Sequence, residues 1–130
     1  MILLDTHMWV WLVSDDHHLV DSHLRHIAAH EASGLNVSII SCWEVAKLVE
    51  LGRLELDRPV LEWIESALRR PGVQLVELDP PIVVESTQLP GDFHRDPADQ
   101  LIVATARILN CPLLTVDNRL QKYEHVRTLS

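Results

Sequence analysis

The chain has 130 residues, a length that suits one domain with one hydrophobic core. Its 19 acidic and 11 basic residues give a net charge of −8, which argues against a simple nucleic-acid-binding module because such modules carry a basic face. No apolar run approaches the roughly 20 residues of a membrane-spanning helix, and no basic segment leads into an apolar stretch at the start, so we expect a cytoplasmic protein with no membrane partner.

The first third of the chain predicts two strands and two helices. Ile2–Leu4 is a short apolar run that predicts a buried strand ending at Asp5. Residues 6–13 and residues 20–32 have apolar side chains at helical spacing. Residues 36–40 are rich in β-branched side chains and predict the second strand.

The middle of the chain predicts three helices and one strand. Residues 41–52 predict a helix that begins at Ser41 and ends near Gly52, since glycine is typical just past a helix C-terminus. Residues 59–72 predict a helix with proline in its first turn and Pro-Gly at its end. Residues 74–78 predict the third strand, and residues 80–89 contain a short helix.

The last third of the chain begins with a largely apolar helix that starts at Pro97 and that Pro112 ends. The next strand covers residues 113–116 and ends at Asp117. A short helix and a last strand near Val126 complete the chain. Alternating strands and helices predict an α/β fold, in which a mostly parallel central sheet is flanked by helices in an α/β/α sandwich. We expect one domain over residues 1–130.

Acidic residues stand where the predicted strands end or the following helices begin. In parallel sheets, ligands bind beyond the carboxyl ends of the strands, so these boundaries share one edge. The acids at this edge are Asp5, Glu44, Asp96, Asp99 and Asp117.

Carboxylates brought together in this way repel one another unless a cation lies between them. Carboxylate oxygens are ligands that suit Mg²⁺ or Mn²⁺. Such ions lower the pKa of a bound water and stabilise the oxygens of an in-line phosphoryl displacement. The acids therefore point to phosphodiester chemistry more readily than to peptide or ester hydrolysis.

Taken singly, most of these acids also have structural explanations. Ser41 and Glu44 fit a capping box, in which Glu44 would only accept a backbone N–H. Asp96 fits the N-cap of the helix at Pro97, and Asp99 suits its first turn. Asp5 is harder to explain structurally, because a carboxylate after a buried strand is costly unless it is paired or bound to metal.

The sequence resembles the VapC-type toxins of the PIN-domain family. The segments that carry the resemblance are LLDTHMWVWLVSDD, SIISCWEVAKLVELGRLEL, FHRDPADQLIVATA and LLTVDNRLQKY. Their order and spacing agree over nearly the whole chain. The resemblance implies a PIN-like fold and a Mg²⁺- or Mn²⁺-dependent endoribonuclease that is a homodimer and is inhibited by a cognate antitoxin protein.

The resemblance also assigns the residues of the site. It implies catalytic and metal-binding roles for Asp5, Glu44, Asp99 and Asp117, with Asp96 as an addition found in a subgroup. Thr6 and Thr115 are expected to support Asp5 and Asp117 through their hydroxyls. His7 and His94 lie beside site acids, so either could approach the scissile phosphate.

Residues 96–100 depart from the pattern of relatives, which often have DPFDR where this chain has DPADQ. The acids are intact, but any substrate or intersubunit contact made by the missing Phe and Arg is lost.

Two other functions stay open at this point. One is a non-catalytic PIN-like module that binds RNA or protein. The other is a phospho-acceptor or phosphatase domain, although His7 stands where an aspartyl-phosphate phosphatase would need a second Asp.

Overall fold

The computed structural model describes residues 1–130, and its five strands form one parallel sheet. The strands are β1 (Ile2–Leu4), β2 (Leu35–Ser38), β3 (Val73–Val76), β4 (Leu113–Leu114) and β5 (Thr128–Leu129). They lie in the order β3-β2-β1-β4-β5, and every neighbouring pair is parallel. The first strand of the chain is therefore the central one.

Seven helices connect and cover these strands. They are α1 (Thr6–Ser14), α2 (Asp21–His30), α3 (Ile39–Glu50), α4 (Val60–Leu68), α5 (Pro80–Ser86), α6 (Pro97–Leu109) and α7 (Asn118–Lys122). Parallel neighbours require a crossover between them, and the helices supply it. The predicted α/β class with a parallel central sheet is confirmed.

The central strand divides the apolar core into two layers. Successive side chains of a strand point to opposite faces, so Ile2 and Leu4 face one side and Leu3 the other. Ile2 and Leu4 pack in a cluster with side chains of α1, α3 and α4, including the buried Trp63. Leu3 packs in a second cluster with α6 and α7, including Ile102. Helices therefore cover both faces of the sheet, as the sandwich prediction requires.

Helix α3 begins earlier than the sequence predicts. Its first residue is Ile39, so the predicted strand over residues 36–40 ends at Ser38 and Ser41 lies inside the helix. The cap is Ser38, whose hydroxyl accepts the backbone N–H of Ile40 at 3.1 Å. This hydrogen bond satisfies a free N–H of the first turn, and it outweighs the strand preference of the two isoleucines.

The remaining strands are shorter than predicted or shifted. β3 covers Val73–Val76 rather than residues 74–78, β4 has two residues rather than four, and β5 begins two residues after Val126. The turn before β3 needs Gly72, which has a φ of +85°, and a Cβ there would lie 2.8 Å from the Glu31 carbonyl oxygen.

All the parallel strands end at one edge of the sheet, and this edge carries the predicted acids. Asp5 directly follows β1, Asp117 lies three residues after β4, and α3, which carries Glu44, directly follows β2. None of the helices is long and apolar enough to cross a membrane.

Candidate active site

The five predicted acids line one cavity of about 370 Å³ at this edge. They come from the N-terminus of α1, the body of α3, the N-terminus of α6 and the N-terminus of α7. The structure therefore brings together side chains that are as much as 112 positions apart in the chain. The acids in this cavity are Asp5, Glu44, Asp96, Asp99 and Asp117.

Asp5 is buried, and both of its carboxylate oxygens accept hydrogen bonds. Oδ1 accepts the backbone N–H of Thr6 at 2.9 Å, so Asp5 also caps α1. Oδ2 accepts the hydroxyl of Thr115 at 2.7 Å. The Thr115 hydroxyl in turn accepts the backbone N–H of Asp117 at 3.0 Å. Thr115 thus links two acids from opposite ends of the chain.

Glu44 belongs to a hydrogen-bonded chain of three side chains. The Thr6 hydroxyl donates to Glu44 Oε1 at 2.5 Å and lies 2.8 Å from the Ser41 hydroxyl. Because Thr6 gives its single hydroxyl proton to Glu44, Ser41 donates to Thr6. The capping-box explanation of Glu44 is therefore wrong: the helix begins before Ser41, and Glu44 points into the cavity.

Asp96 and Asp99 stand one helical turn apart and have different surroundings. Asp96 is exposed and caps α6, since its Oδ1 accepts the backbone N–H of Asp99 at 3.0 Å. Asp99 is buried, and its Oδ2 accepts the ring N–H of His94 at 2.6 Å. Capping therefore explains one oxygen of Asp96, whereas no backbone hydrogen bond explains the carboxylate of Asp99.

Asp117 is the acid with the clearest positive partner. Its Oδ1 accepts the backbone N–H of Arg119 at 2.8 Å, and its Oδ2 lies 3.1 Å from Nη2 of the same residue. Nη2 also lies 3.4 Å from Asp99 Oδ2. These contacts, led by the hydrogen bond from the Arg119 side chain, hold the pKa of Asp117 below its usual range.

Three of the other acids, Asp5, Glu44 and Asp99, are hard to ionise together. Burial, followed by the charges of Asp5, Asp99 and Asp96, raises the pKa of Glu44 from 4.5 to about 7. Burial also raises the pKa of Asp5 and of Asp99, and neighbouring carboxylates add to both effects. A cation placed among these carboxylates would reduce the repulsion between them.

The donor set fits a hard divalent cation. Carboxylate oxygens are its only anionic groups, and Mg²⁺ and Mn²⁺ prefer such ligands. Asp99 Oδ1 and Glu44 Oε2 accept no hydrogen bond from the protein, while Asp5 is held in place by Thr6 and Thr115. Oriented ligands with free lone pairs are what a metal site requires.

A larger cavity of about 490 Å³ lies elsewhere, at the other end of α6. It has two arginines, but both already have partners. Arg107 donates to Glu85 at 2.8 Å, and Arg127 donates to the Asn110 carbonyl oxygen at 2.8 Å. No comparable group of carboxylates lines it, so the cavity with five acids is the candidate active site.

Sequence reasoning missed two contributors to the site. The sequence predicts Ser41 as a cap, whereas its hydroxyl contacts and orients that of Thr6. Arg119 lines the cavity, although the sequence predicts no role for it. The sequence feature that points to Arg119 is its position two residues after the site acid Asp117, at the start of a predicted helix. His94, named only as a neighbour of the acids, contacts Asp99 directly.

Comparison with known proteins gives concordant results. Residues 2–126 match the family described as PIN domain. Ribonuclease VapC22 of Mycobacterium tuberculosis is 35% identical over 129 residues, which are 99% of this chain and 96% of that protein.

Solved structures share the fold at low sequence identity. DNA-bound VapBC from Salmonella typhimurium has a TM-score of 0.72 at 14% identity and covers 98% of this chain and 95% of its own. FitAcB from Neisseria gonorrhoeae has a TM-score of 0.70 at 19% identity, and the match covers 100% of this chain and 97% of that one.

Proposed function

The chain belongs to the PIN domain family, and from this premise we propose that it is a metal-dependent endoribonuclease, the toxin of a toxin–antitoxin pair. The observation that carries the proposal is the convergence of five carboxylates from four helices on one cavity. The relative with 35% identity is named a ribonuclease, and the acids give this chain the ligands for the same chemistry.

The proposed cofactor is Mg²⁺ or Mn²⁺, held by Asp5, Glu44, Asp99 and Asp117. When bound, such an ion lowers the pKa of a water molecule and stabilises negative charge on the phosphate oxygens. Asp96, which is exposed and engaged in capping, is assigned a lesser role at the rim of the site. These assignments rest on the family resemblance and on the convergence of the four side chains on one cavity. Glu44 and Asp99 each keep one oxygen that accepts no hydrogen bond from the protein.

The remaining polar residues of the site orient the acids. Thr115 fixes Asp5, and the Ser41–Thr6 pair fixes Glu44 Oε1 and leaves Oε2 facing the cavity. Thr115 and Thr6 each donate one proton to a carboxylate oxygen, and Ser41 donates to the Thr6 hydroxyl and so orients it toward Glu44. We assign these three hydroxyls to positioning, not to chemistry.

The test is cleavage of RNA by the purified protein. With Mg²⁺ or Mn²⁺ it should cut total RNA and leave 5′-phosphate and 3′-hydroxyl ends, and EDTA should stop the reaction. Asp5→Asn should be inactive, which excludes a contaminating ribonuclease. The control is Asp57→Asn, because Asp57 is exposed and pairs only with Arg58. Undiminished cutting in EDTA contradicts the metal mechanism, and RNA binding without cutting favours a non-catalytic module.

A cognate antitoxin is the second part of the proposal. Several structures with this fold are toxin–antitoxin complexes, among them one from Klebsiella pneumoniae. The acidic cavity would accept a basic side chain of such a partner, as a substitute for the metal. Expression of this protein alone should slow growth, and a small protein encoded beside it should bind and relieve the effect. No growth effect together with no bound neighbour contradicts the toxin assignment.

We also propose that the chain is a homodimer. Large apolar side chains are exposed on three different helices, namely Trp43, Leu61 and Val84. Single exposed apolar residues are common on protein surfaces and only a contiguous patch marks an interface, so the proposal rests on the family resemblance. Light scattering on the purified protein should give twice the mass of the chain, and a monomeric mass at micromolar concentration contradicts the proposal.

A further inference from the structure

Arg119 is the one arginine or lysine that lines the acidic cavity. It lies in the first turn of α7, and its guanidinium reaches across the cavity between two acids. Nη2 is 3.1 Å from Asp117 Oδ2 and 3.4 Å from Asp99 Oδ2. In the metal-free protein this side chain therefore supplies positive charge to the acids that we assign to metal binding.

These contacts hold the guanidinium loosely. Charge-assisted N–H···O hydrogen bonds are usually about 2.7–2.9 Å long, and each contact of the Arg119 guanidinium is longer. The side chain is 60% exposed, and exposed ion pairs are weak because water competes for both partners. Asp99 Oδ2 also has a shorter partner in His94 at 2.6 Å. The arginine can thus leave without exposing an unpaired buried group.

A divalent cation on Asp99 and Asp117 would repel this guanidinium and compete for the same oxygens. The substrate under the proposed function is a polyanion, whereas the protein has a net charge of −8. RNA binding at this edge therefore needs a local cation besides the metal. A planar guanidinium can donate two parallel hydrogen bonds to one phosphate.

We infer that Arg119 is a phosphate-binding residue for the RNA backbone, and that its guanidinium exchanges the carboxylates of Asp99 and Asp117 for an RNA phosphate once the metal binds. This inference rests on the proposed ribonuclease function. It makes Arg119 a competitor of the metal in the free protein and a ligand of RNA in the complex.

The inference predicts effects of opposite sign for one substitution. Arg119→Gln removes the competing charge, so Mn²⁺ should bind the RNA-free protein about 2- to 5-fold more tightly. The same substitution removes a phosphate contact, so RNA should bind about tenfold more weakly. A plot of the logarithm of the RNA association constant against the logarithm of the salt concentration should also become less steep, by about 0.7 in slope. Arg119→Lys keeps the charge and should lie between Gln and the parent in both measurements.

Both effects can be measured without turnover. Mn²⁺ binding is followed by electron paramagnetic resonance of the free ion. RNA binding is followed by fluorescence anisotropy of a labelled single strand in Mg²⁺, with every variant carrying Glu44→Gln to prevent cleavage. The control is Arg58→Gln, which removes the same charge from an exposed arginine paired with Asp57. It should change neither affinity.

The outcomes separate this inference from the proposed function. If the Glu44→Gln protein does not bind RNA and the parent does not cut it, the proposed function fails. If RNA binds but Arg119→Gln binds it no more weakly than Arg58→Gln does, the phosphate role is overturned. If Arg119→Gln binds Mn²⁺ more weakly than the parent, the proposed exchange of carboxylates for phosphate is overturned. The arginine would then help to hold the acids in place for the metal and would not compete with it.

Discussion

Replacing Glu44 by Gln should stabilise the metal-free protein above neutral pH while abolishing cleavage. Glutamine keeps a side-chain oxygen that can accept the Thr6 hydroxyl, and it cannot ionise. Because α3 is capped by Ser38, the substitution leaves the helix terminus intact. It removes only the charge that burial and three neighbouring carboxylates disfavour.

The size and sign of the effect follow from the pKa of Glu44. The folded protein raises that pKa from 4.5 to about 7, so the folded state binds the proton more tightly than the unfolded state. The free energy of unfolding of the parent therefore falls as pH rises through this range. Each tenfold change in proton affinity is worth about 1.4 kcal/mol, which gives about 3 kcal/mol at pH 8. Since Glu44 is half-buried, we expect a gain of about 2 to 3 kcal/mol in the variant.

The assay is urea unfolding of the parent and Glu44→Gln in EDTA at pH 5 and pH 8. The variant should be more stable at pH 8, and the difference should shrink to below about 1 kcal/mol at pH 5. Mg²⁺ should stabilise the parent and so remove the difference in free energy of unfolding. At a Mg²⁺ concentration 100 times the dissociation constant, this stabilisation is about 2.7 kcal/mol. Glu65→Gln, an exposed glutamate on α4, is the control and should show no such pH dependence.

One result would refute this reasoning directly. If the free energies of unfolding of Glu44→Gln and the parent differ by the same amount at both pH values, the folded protein does not disfavour the charge of Glu44. The pKa of Glu44 would then lie near its ordinary value, and the case for a cation at this position would lose its electrostatic support.

Three further substitutions test the acids and their support. Asp99→Asn should abolish cleavage, and Asp96→Asn should weaken it less. Asp96→Asn should lower the free energy of unfolding by less than about 1 kcal/mol, since Asn still caps a helix. Cleavage rates of the two variants over a Mg²⁺ titration test this order, and the reverse order would contradict it. Thr115→Val leaves a buried oxygen of Asp5 without its donor, so it should cost about 1–3 kcal/mol in urea unfolding and weaken Mn²⁺ binding about 10- to 100-fold. Thr105→Val, a buried control whose hydroxyl bonds within α6, should leave Mn²⁺ binding unchanged.

Much of the fold is predictable because its signals are local and strong. The apolar run Ile2–Leu4, followed at once by Asp5, is typical of a short buried strand that ends at a polar edge. The proline and aspartate at the start of α6 specify its first turn through a cap and a fixed φ. Strand–helix alternation then predicts the parallel sheet, and parallel strands place their following residues at one edge.

What sequence could not show depends on contacts between distant segments. Ser38 and Ser41 are both suitable caps for the same helix, and only the packed structure shows that Ser41 faces Thr6, 35 positions earlier. Arg119 is an ordinary exposed arginine by sequence. It acquires a role only because α6 and α7 present their N-termini to the same cavity.

The central place of the first strand in the sheet has a consequence for the order of events during synthesis. β1 is made before β4, which is one of its two neighbours in the sheet and lies about 110 positions later in the chain. A growing chain that has not reached Leu113 holds Asp5, Glu44 and Asp99 but lacks the hydroxyl that holds Asp5, and β1 is then an open sheet edge. Under the proposed function, an enzyme that destroys RNA would thus stay harmless to the message that encodes it until the ribosome has passed the codons of β4.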